Sequence, residues 1–204
     1  MARYTGPKHK LARREGVNIY GKPSASLERR ITILPGQMGR GRRGMRKSSE
    51  YGLQLREKQK MKRMYGLLEK QFANYVAKAE KNPNIATDEG LIALLETRLD
   101  NVVYRLGFAK TRNQARQYVT HGHVFVDGQR INIPSYQVKA DSEIAVSTKI
   151  EKLLESQKEV EEEVQSVLDF VKRTKNKGKL LRLPTKEDVQ NPVDYQLVIE
   201  FYSR

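Results

Sequence analysis

The chain of 204 residues contains no cysteine. Disulfides, thiol catalysis, iron–sulfur clusters and any cysteine-based zinc site are therefore excluded. Its three histidines are too few for a His-rich metal centre, so no metal or other cofactor is expected. No apolar run approaches the ~20 residues that a membrane helix needs. The opening MARYTGPKHKLARREG also lacks the apolar stretch of a signal peptide, and a cytoplasmic protein with no membrane partner is expected. Acidic residues are scarce at the start: residues 1–50 hold thirteen Lys and Arg against Glu15, Glu28 and Glu50 alone.

What is present is a large basic surplus, +15 overall with a pI near 9.9. At 38% hydrophobic content the chain still has material for a core, in one or two domains. The surplus is polarised, with sixteen cations against ten acids in residues 51–150 and ten against eleven in 151–204. Clustered Lys and Arg favour a polyanion over a small acidic substrate, because neutralising successive phosphates releases condensed counterions. An anionic membrane would call for an unbroken amphipathic basic helix. The first fifty residues are instead interrupted by Gly6-Pro7, Gly21-Lys22-Pro23, Pro35-Gly36, Gly39, Gly41 and Gly44, which favours nucleic acid.

Along the chain, Arg40, Arg42, Arg43, Arg46 and Lys47 form the densest basic stretch, interleaved with glycine; it reads equally as a phosphate-binding loop and as a solvated one. From Ser49 the spacing of Met61, Met64, Tyr65, Leu68, Phe72, Tyr75, Val76 and Ala79 predicts one long helix, with Arg56, Lys60, Arg63 and Lys70 on its other side. The Met and aromatic stripe is core rather than a cofactor box. After Asn82-Pro83-Asn84, a second helix is expected from Thr87 through Leu91, Leu95, Leu99, Val102 and Leu106 to Gly107.

Thr111-Arg112-Asn113-Gln114 has a capping-box pattern that opens a short helix. Arg112 and Arg116, four apart with Gln117 beside them, share a face near a helix N-terminus suited to phosphate, although two exposed arginines are also commonplace. Asp127-Gly128 predicts a hairpin between strands at 123–126 and 129–133, with further strands at 136–138 and 143–146. Ile150 to Val171 reads as a helix, Gly178 as the start of an irregular link, and Tyr195 to Phe201 as a buried terminal strand. The fold class is α+β: a mainly helical domain with a basic N-terminal extension, and an inserted small RNA-binding module of two helices and a small antiparallel sheet. The helical domain is expected at 1–90 and 176–204, and the module with its following helix at 91–175.

Leu99-Asp100-Asn101-Val102-Val103-Tyr104-Arg105-Leu106-Gly107-Phe108, with Thr111-Arg112 through Ala115-Arg116-Gln117 and the hairpin beyond, resembles the RNA-binding module named after the fourth small-subunit ribosomal protein. Met1 to Tyr4, Gly6-Pro7-Lys8, Arg13-Arg14-Glu15-Gly16, Pro35-Gly36-Gln37, Tyr51 to Lys60 and Phe201-Tyr202-Ser203-Arg204 extend the resemblance to the whole bacterial ribosomal family of that number. The resemblance implies a primary binder of small-subunit rRNA that folds the five-prime domain junction and nucleates assembly of the subunit body. It also implies a C-terminal tail facing the fifth small-subunit protein, an interface tied to decoding accuracy, other small-subunit proteins as neighbours, and a basic loop near the pore through which mRNA enters.

The residues expected to carry RNA are Arg3, Lys8, Lys10, Arg13, Arg14, Arg40, Arg42, Arg43, Arg46, Lys47, Arg56, Lys60, Arg63, Arg112, Arg116 and Gln117. Tyr195, Glu200, Tyr202 and Arg204 are expected at the protein interface. Many bacterial relatives carry N-terminal zinc-binding cysteines; here the corresponding slots read His9 and Ala12, which implies a zinc-free form. Arg98-Leu99-Asp100 also resembles the Arg-Leu-Asp of pseudouridine synthases. The continuation Asn101-Val102-Val103 departs from that motif, and Asp100 reads as a surface or helix-pairing residue rather than a catalytic one. A nonspecific DNA-compacting protein fits the charge but has no need of the hairpin module.

Overall fold

The computed structural model describes residues 4–36, 49–158, 168–189 and 191–203. The chain forms two compact units, Met1–Asp88 with Asn191–Arg204, and Glu89–Gln190.

In the first unit, Pro7 and Gly16 bound a helix, α1 (Lys8–Glu15), in a segment whose sequence reads only as broken. Ala12 on its inner side packs with Ile19 and Leu27, the latter from the single-turn α2 (Ala25–Glu28). The single long helix expected after Ser49 is instead two, α3 (Glu50–Met64) and α4 (Glu69–Glu80). Between them Gly66 takes φ 64°, which a side chain would resist. The Leu67 N–H then bonds to the Lys62 carbonyl at 2.9 Å and the Gly66 N–H to that of Arg63 at 3.1 Å, a Schellman stop. The apolar stripe survives the break because Met61 and Met64 on one side and Phe72, Tyr75, Val76 and Ala79 on the other are all buried.

The terminal segment is a helix, α9 (Tyr195–Tyr202), and not the strand expected from it. Asp194 caps it, its carboxylate accepting from the N–H groups of Gln196 (3.0 Å) and Leu197 (3.4 Å). Tyr195 and Val198, one helical step apart, are its buried residues, and it packs along α3 and against α4. The β-branched pair Val198-Ile199 reads locally as strand, and tertiary packing overrides that preference.

The second unit begins within α5 (Thr87–Glu96) and continues as α6 (Leu99–Arg105), so the helix expected from Thr87 to Leu106 is also divided. The dividing residues leave the helical ladder to pair with residues 134–138: Val138 N–H bonds to the Thr97 carbonyl (2.9 Å) and Leu99 N–H to that of Tyr136 (2.8 Å). The strand expected at 136–138 is this bridge. Next come α7 (Arg112–Thr120), β1 (Val124–Val126) and β2 (Gln129–Arg130), the last two joined by a turn in which Asp127 and Gly128 both have positive φ (48° and 79°). Then follow β3 (Glu143–Val146), α8 (Thr148–Lys158), β4 (Val171–Thr174) and β5 (Lys177–Leu180).

The sheet is antiparallel throughout, in the order β2-β1-β3-β5-β4. Two expectations fail here. Val171 belongs to a strand and not to a helix, residues 159–167 lying outside the described ones, and Gly178 sits inside β5 and opens no link. A Cβ at Gly178 would stand 2.5 Å from Leu106, so the bare backbone lets β5 cross α6 closely. Because that hairpin belongs to the sheet, the chain returns to the first unit at 191 rather than at 176.

Inward residues of alternating strand positions, Val124, Val126, Ile144, Val146, Val171 and Leu180, share one core with Leu99, Val102, Val103 and Leu106 of α6 and with Ala115 and Val119 of α7. Both helices therefore cover the same face of the sheet.

Candidate nucleic-acid interface

The start of α7 is fixed locally. The Thr111 hydroxyl accepts from the Gln114 N–H (3.2 Å), and Gln114 Oε1 accepts from the Lys110 N–H (3.0 Å). This holds Arg112 in the first turn, half-buried, with its guanidinium 4.6 Å from the Tyr104 ring centroid and its Nε donating to Asn101 Oδ1 at 2.7 Å. Asn101 is held in turn, its Nδ2 donating to Glu96 Oε2 at 2.6 Å, and Arg105 grips the Glu96 carboxylate with two 2.8 Å bonds. A buried polar chain thus aims one guanidinium. Stacked on one face and bonded through Nε, Arg112 holds its planar, multi-donor head in a fixed direction, the geometry that suits a phosphate. Exposed Gln117 lies one turn further on.

Arg116 does not share this role. It is buried, 3.8 Å from Asp100 Oδ2, and Asp100 is itself held by Arg98 through bonds of 3.0 and 2.7 Å. The expectation of an exposed arginine pair fails because four-residue spacing fixes direction around a helix and not depth. Asp100 pairs helices α6 and α7 through this triad, as one of its sequence readings has it.

In the first unit Lys8, Lys10 and Arg14 of α1 are exposed. Arg13 is turned inward, donating to the carbonyls of Ile33 (2.9 Å) and Leu34 (3.2 Å), and so clamps a loop. On α3, Arg56 and Arg63 both bind the Glu15 carboxylate, whose side chain is fully buried, and Lys60 pairs with Glu57. Burial pushes the Glu15 carboxyl above its usual range, with Arg56, Arg63, Lys60 and Arg14 pulling against it. These three α3 cations are not an open phosphate-binding face, because the fold already uses each of them. Glu15 is the functional residue the sequence reading missed, although it stands in the Arg13-Arg14-Glu15-Gly16 motif. Arg3, Arg40, Arg42, Arg43, Arg46, Lys47 and Arg204 lie outside the described residues.

Residues 3–96 match the family model described as the ribosomal protein S4/S9 N-terminal domain, and residues 97–144 match the S4 domain. The small ribosomal subunit protein uS4 of Halothermothrix orenii is 46% identical, and those of Latilactobacillus sakei and Thermus thermophilus are each 48% identical, with the whole of both chains covered in every case. The chain belongs to the uS4 family. As a uS4 member it is a ribosomal protein of the small subunit, structural and not an enzyme, and its place is the cytoplasmic ribosome.

The zinc found in cysteine-bearing relatives does not fit this uS4 chain. Ala12 is fully buried in the apolar cluster of α1, His9 is exposed, and among the described residues no group of three His, Cys, Asp or Glu is placed to hold a metal. The uS4 tail also differs from expectation. Tyr195 is buried, and its hydroxyl and that of Tyr65 each accept from Asn191 Nδ2 at 3.0 Å. Glu200 accepts from Gln54 (3.1 Å) and Gln196 (3.2 Å), and the Tyr202 hydroxyl donates to Glu69 at 2.8 Å. Lys58 Nζ sits 4.3 Å from the Phe201 ring centroid. These side chains fasten the tail to α3 and α4. Burial pushes the Glu69 carboxyl up, but hydrogen bonds from Lys58, Lys62 and Tyr202 outweigh it and hold the group at about 2; burial and Glu69 push the Tyr202 hydroxyl up.

Proposed function

We propose that the chain is a primary binder of small-subunit rRNA that recognises the five-prime domain junction and nucleates assembly of the subunit body. The observation that carries this reading is the Arg112 guanidinium, stacked on Tyr104 and aimed by the Glu96–Asn101 chain at the N-terminal end of α7. Lys8, Lys10 and Arg14 add exposed charge from α1. Phosphate contacts of this kind position the protein, and specificity comes from the shape of an RNA junction rather than from base edges in the narrow A-form groove. The basic stretch Arg40 to Lys47 serves mRNA near its pore of entrance. The tail, fastened from beneath by Tyr195, presents the half-exposed Glu200 and Tyr202 edge to the fifth small-subunit protein and so bears on decoding accuracy.

The test is binding to a transcript of the five-prime domain with duplex DNA as competitor at matched salt. Arg112→Ala is expected to cost roughly tenfold in affinity, about 1.4 kcal/mol, with thermal stability nearly unchanged. DNA competing as well as the transcript would remove the ribosomal RNA reading.

A further inference from the structure

The near-neutral balance of residues 151–204 conceals a local extreme. From 170 to 186 the chain carries Lys172, Arg173, Lys175, Lys177, Lys179, Arg182 and Lys186 with no acidic residue among them. The sheet register sorts these cations by face. Val171 opposite Leu180 points into the core, so Lys172 opposite Lys179 and Thr174 opposite Lys177 point away from it. Lys172, Lys177 and Lys179 are exposed on that outer face, and Lys175 is exposed in the connecting turn. Arg173, pointing inward, is spent on the fold: it lies 4.8 Å from the Phe108 ring centroid and donates to the carbonyls of Leu106 (3.2 Å) and Gly107 (2.9 Å). Arg182 is taken by a two-bond pair with Asp188.

Lys172 directly opposite Lys179 is a like-charge cross-strand pair, an arrangement that costs stability. Lysine on an edge strand guards against sheet-to-sheet pairing, which accounts for Lys172 on β4. It does not account for Lys177 and Lys179, because β5 is paired on both sides. The acids nearby neutralise little: Lys177–Glu143 (2.8 Å) and Lys179–Asp141 (2.9 Å) join side chains that are all about half exposed or more, and neither Lys172 nor Lys175 has a carboxylate partner among the described residues. Such surface pairs are weak and exchange readily for phosphate. The same face also bears the half-exposed Phe125, which does not belong to the core.

We propose that the solvent face of the β4–β5 hairpin is a second RNA-backbone contact, on the side of the module away from α7. The two contacts are separate because α6 and α7 cover the inner face of the sheet. RNA held at Arg112 must therefore continue around the module, or a second strand must meet it, for the lysines to be engaged. This rests on the proposed rRNA binding.

The test uses the full chain with Lys172, Lys175, Lys177 and Lys179 changed together to Gln, titrated with the five-prime domain transcript at several salt concentrations. The slope of log affinity against log salt is expected to fall by about 2 to 3, at ~0.7–0.9 per phosphate lost, with the Arg variants at the same positions restoring it. Should the quadruple variant fail to fold, Lys172→Gln with Lys175→Gln, which touches no ion pair, is expected to lower the slope by about 1. An unchanged slope in a folded variant overturns the proposal. So does unchanged RNA affinity together with loss of incorporation into particles, which would make an acidic protein the occupant. Failure of the unmutated chain to prefer the transcript over DNA would instead sink the rRNA reading itself.

Discussion

The two units spend their charges differently. Glu89–Gln190 closes around one continuous apolar core shared by α6, α7 and the sheet, whereas the other unit joins its helices through polar clasps: Arg56 and Arg63 on Glu15, Lys58 and Lys62 on Glu69, Gln54 on Glu200. Where apolar burial does the holding, surface cations remain available to a ligand. Where polar clasps do it, many of the cations are engaged before any RNA arrives. Counting basic residues along the sequence therefore overstates the interface on α3 and understates it on the hairpin.

The sharpest exception in the second unit is its buried Arg98–Asp100–Arg116 triad. Asp100→Ala would leave two guanidiniums buried without their carboxylate and is expected to cost about 3–5 kcal/mol in urea unfolding. A loss below 1 kcal/mol would mean that the triad is incidental to the core. Glu15→Ala is expected to cost less, about 1–3 kcal/mol, because Arg56 and Arg63 keep 32% and 21% of their side chains exposed and can turn to water. If it instead tightened RNA binding, the freed guanidiniums would be competing for the same phosphates.

How much of this was legible follows from how local each signal is. The Thr111 cap, the Asp127-Gly128 turn and the strand at 143–146 are written in adjacent residues and stand where the sequence puts them. The stops at Gly66 and at Thr97-Arg98 were hidden because apolar periodicity runs straight through both, and at the second only the distant 134–138 segment competes for the backbone. The β4–β5 hairpin was masked by Val171 continuing a heptad spacing and by Gly178 looking like a breaker. Arg112 could be found from the cap beside it. Arg116 could not be assigned, since its depth depends on Asp100, which another helix supplies.

The clasp on the tail gives a smaller effect with a pH signature. Tyr202→Phe removes one hydrogen bond to Glu69 and is expected to cost about 1 kcal/mol. Glu69 sits at about 2 in the folded chain against 4.5 ordinarily, so its contribution is complete above about 4.5 and drains away as pH falls towards 2. Glu69→Gln should flatten that part of the stability profile in urea midpoints taken from pH 5 to 2, and an unflattened profile would place the acid sensitivity elsewhere. Smallest for the fold is Lys8→Ala with Lys10→Ala, expected within about 0.5 kcal/mol of the parent while lowering the salt slope of RNA binding by about 1 to 2.

The return of residues 191–203 to α3 and α4 also orders events in time. A ribosome making this chain extrudes all of 89–190 as one uninterrupted stretch, free to close on its own core, before α9 exists. The helices on either side of Gly66 must wait with their apolar stripe uncovered until synthesis reaches Tyr195. The module is therefore the first part able to meet a nascent transcript, and the clasped unit is the part whose completion reports that the protein is finished.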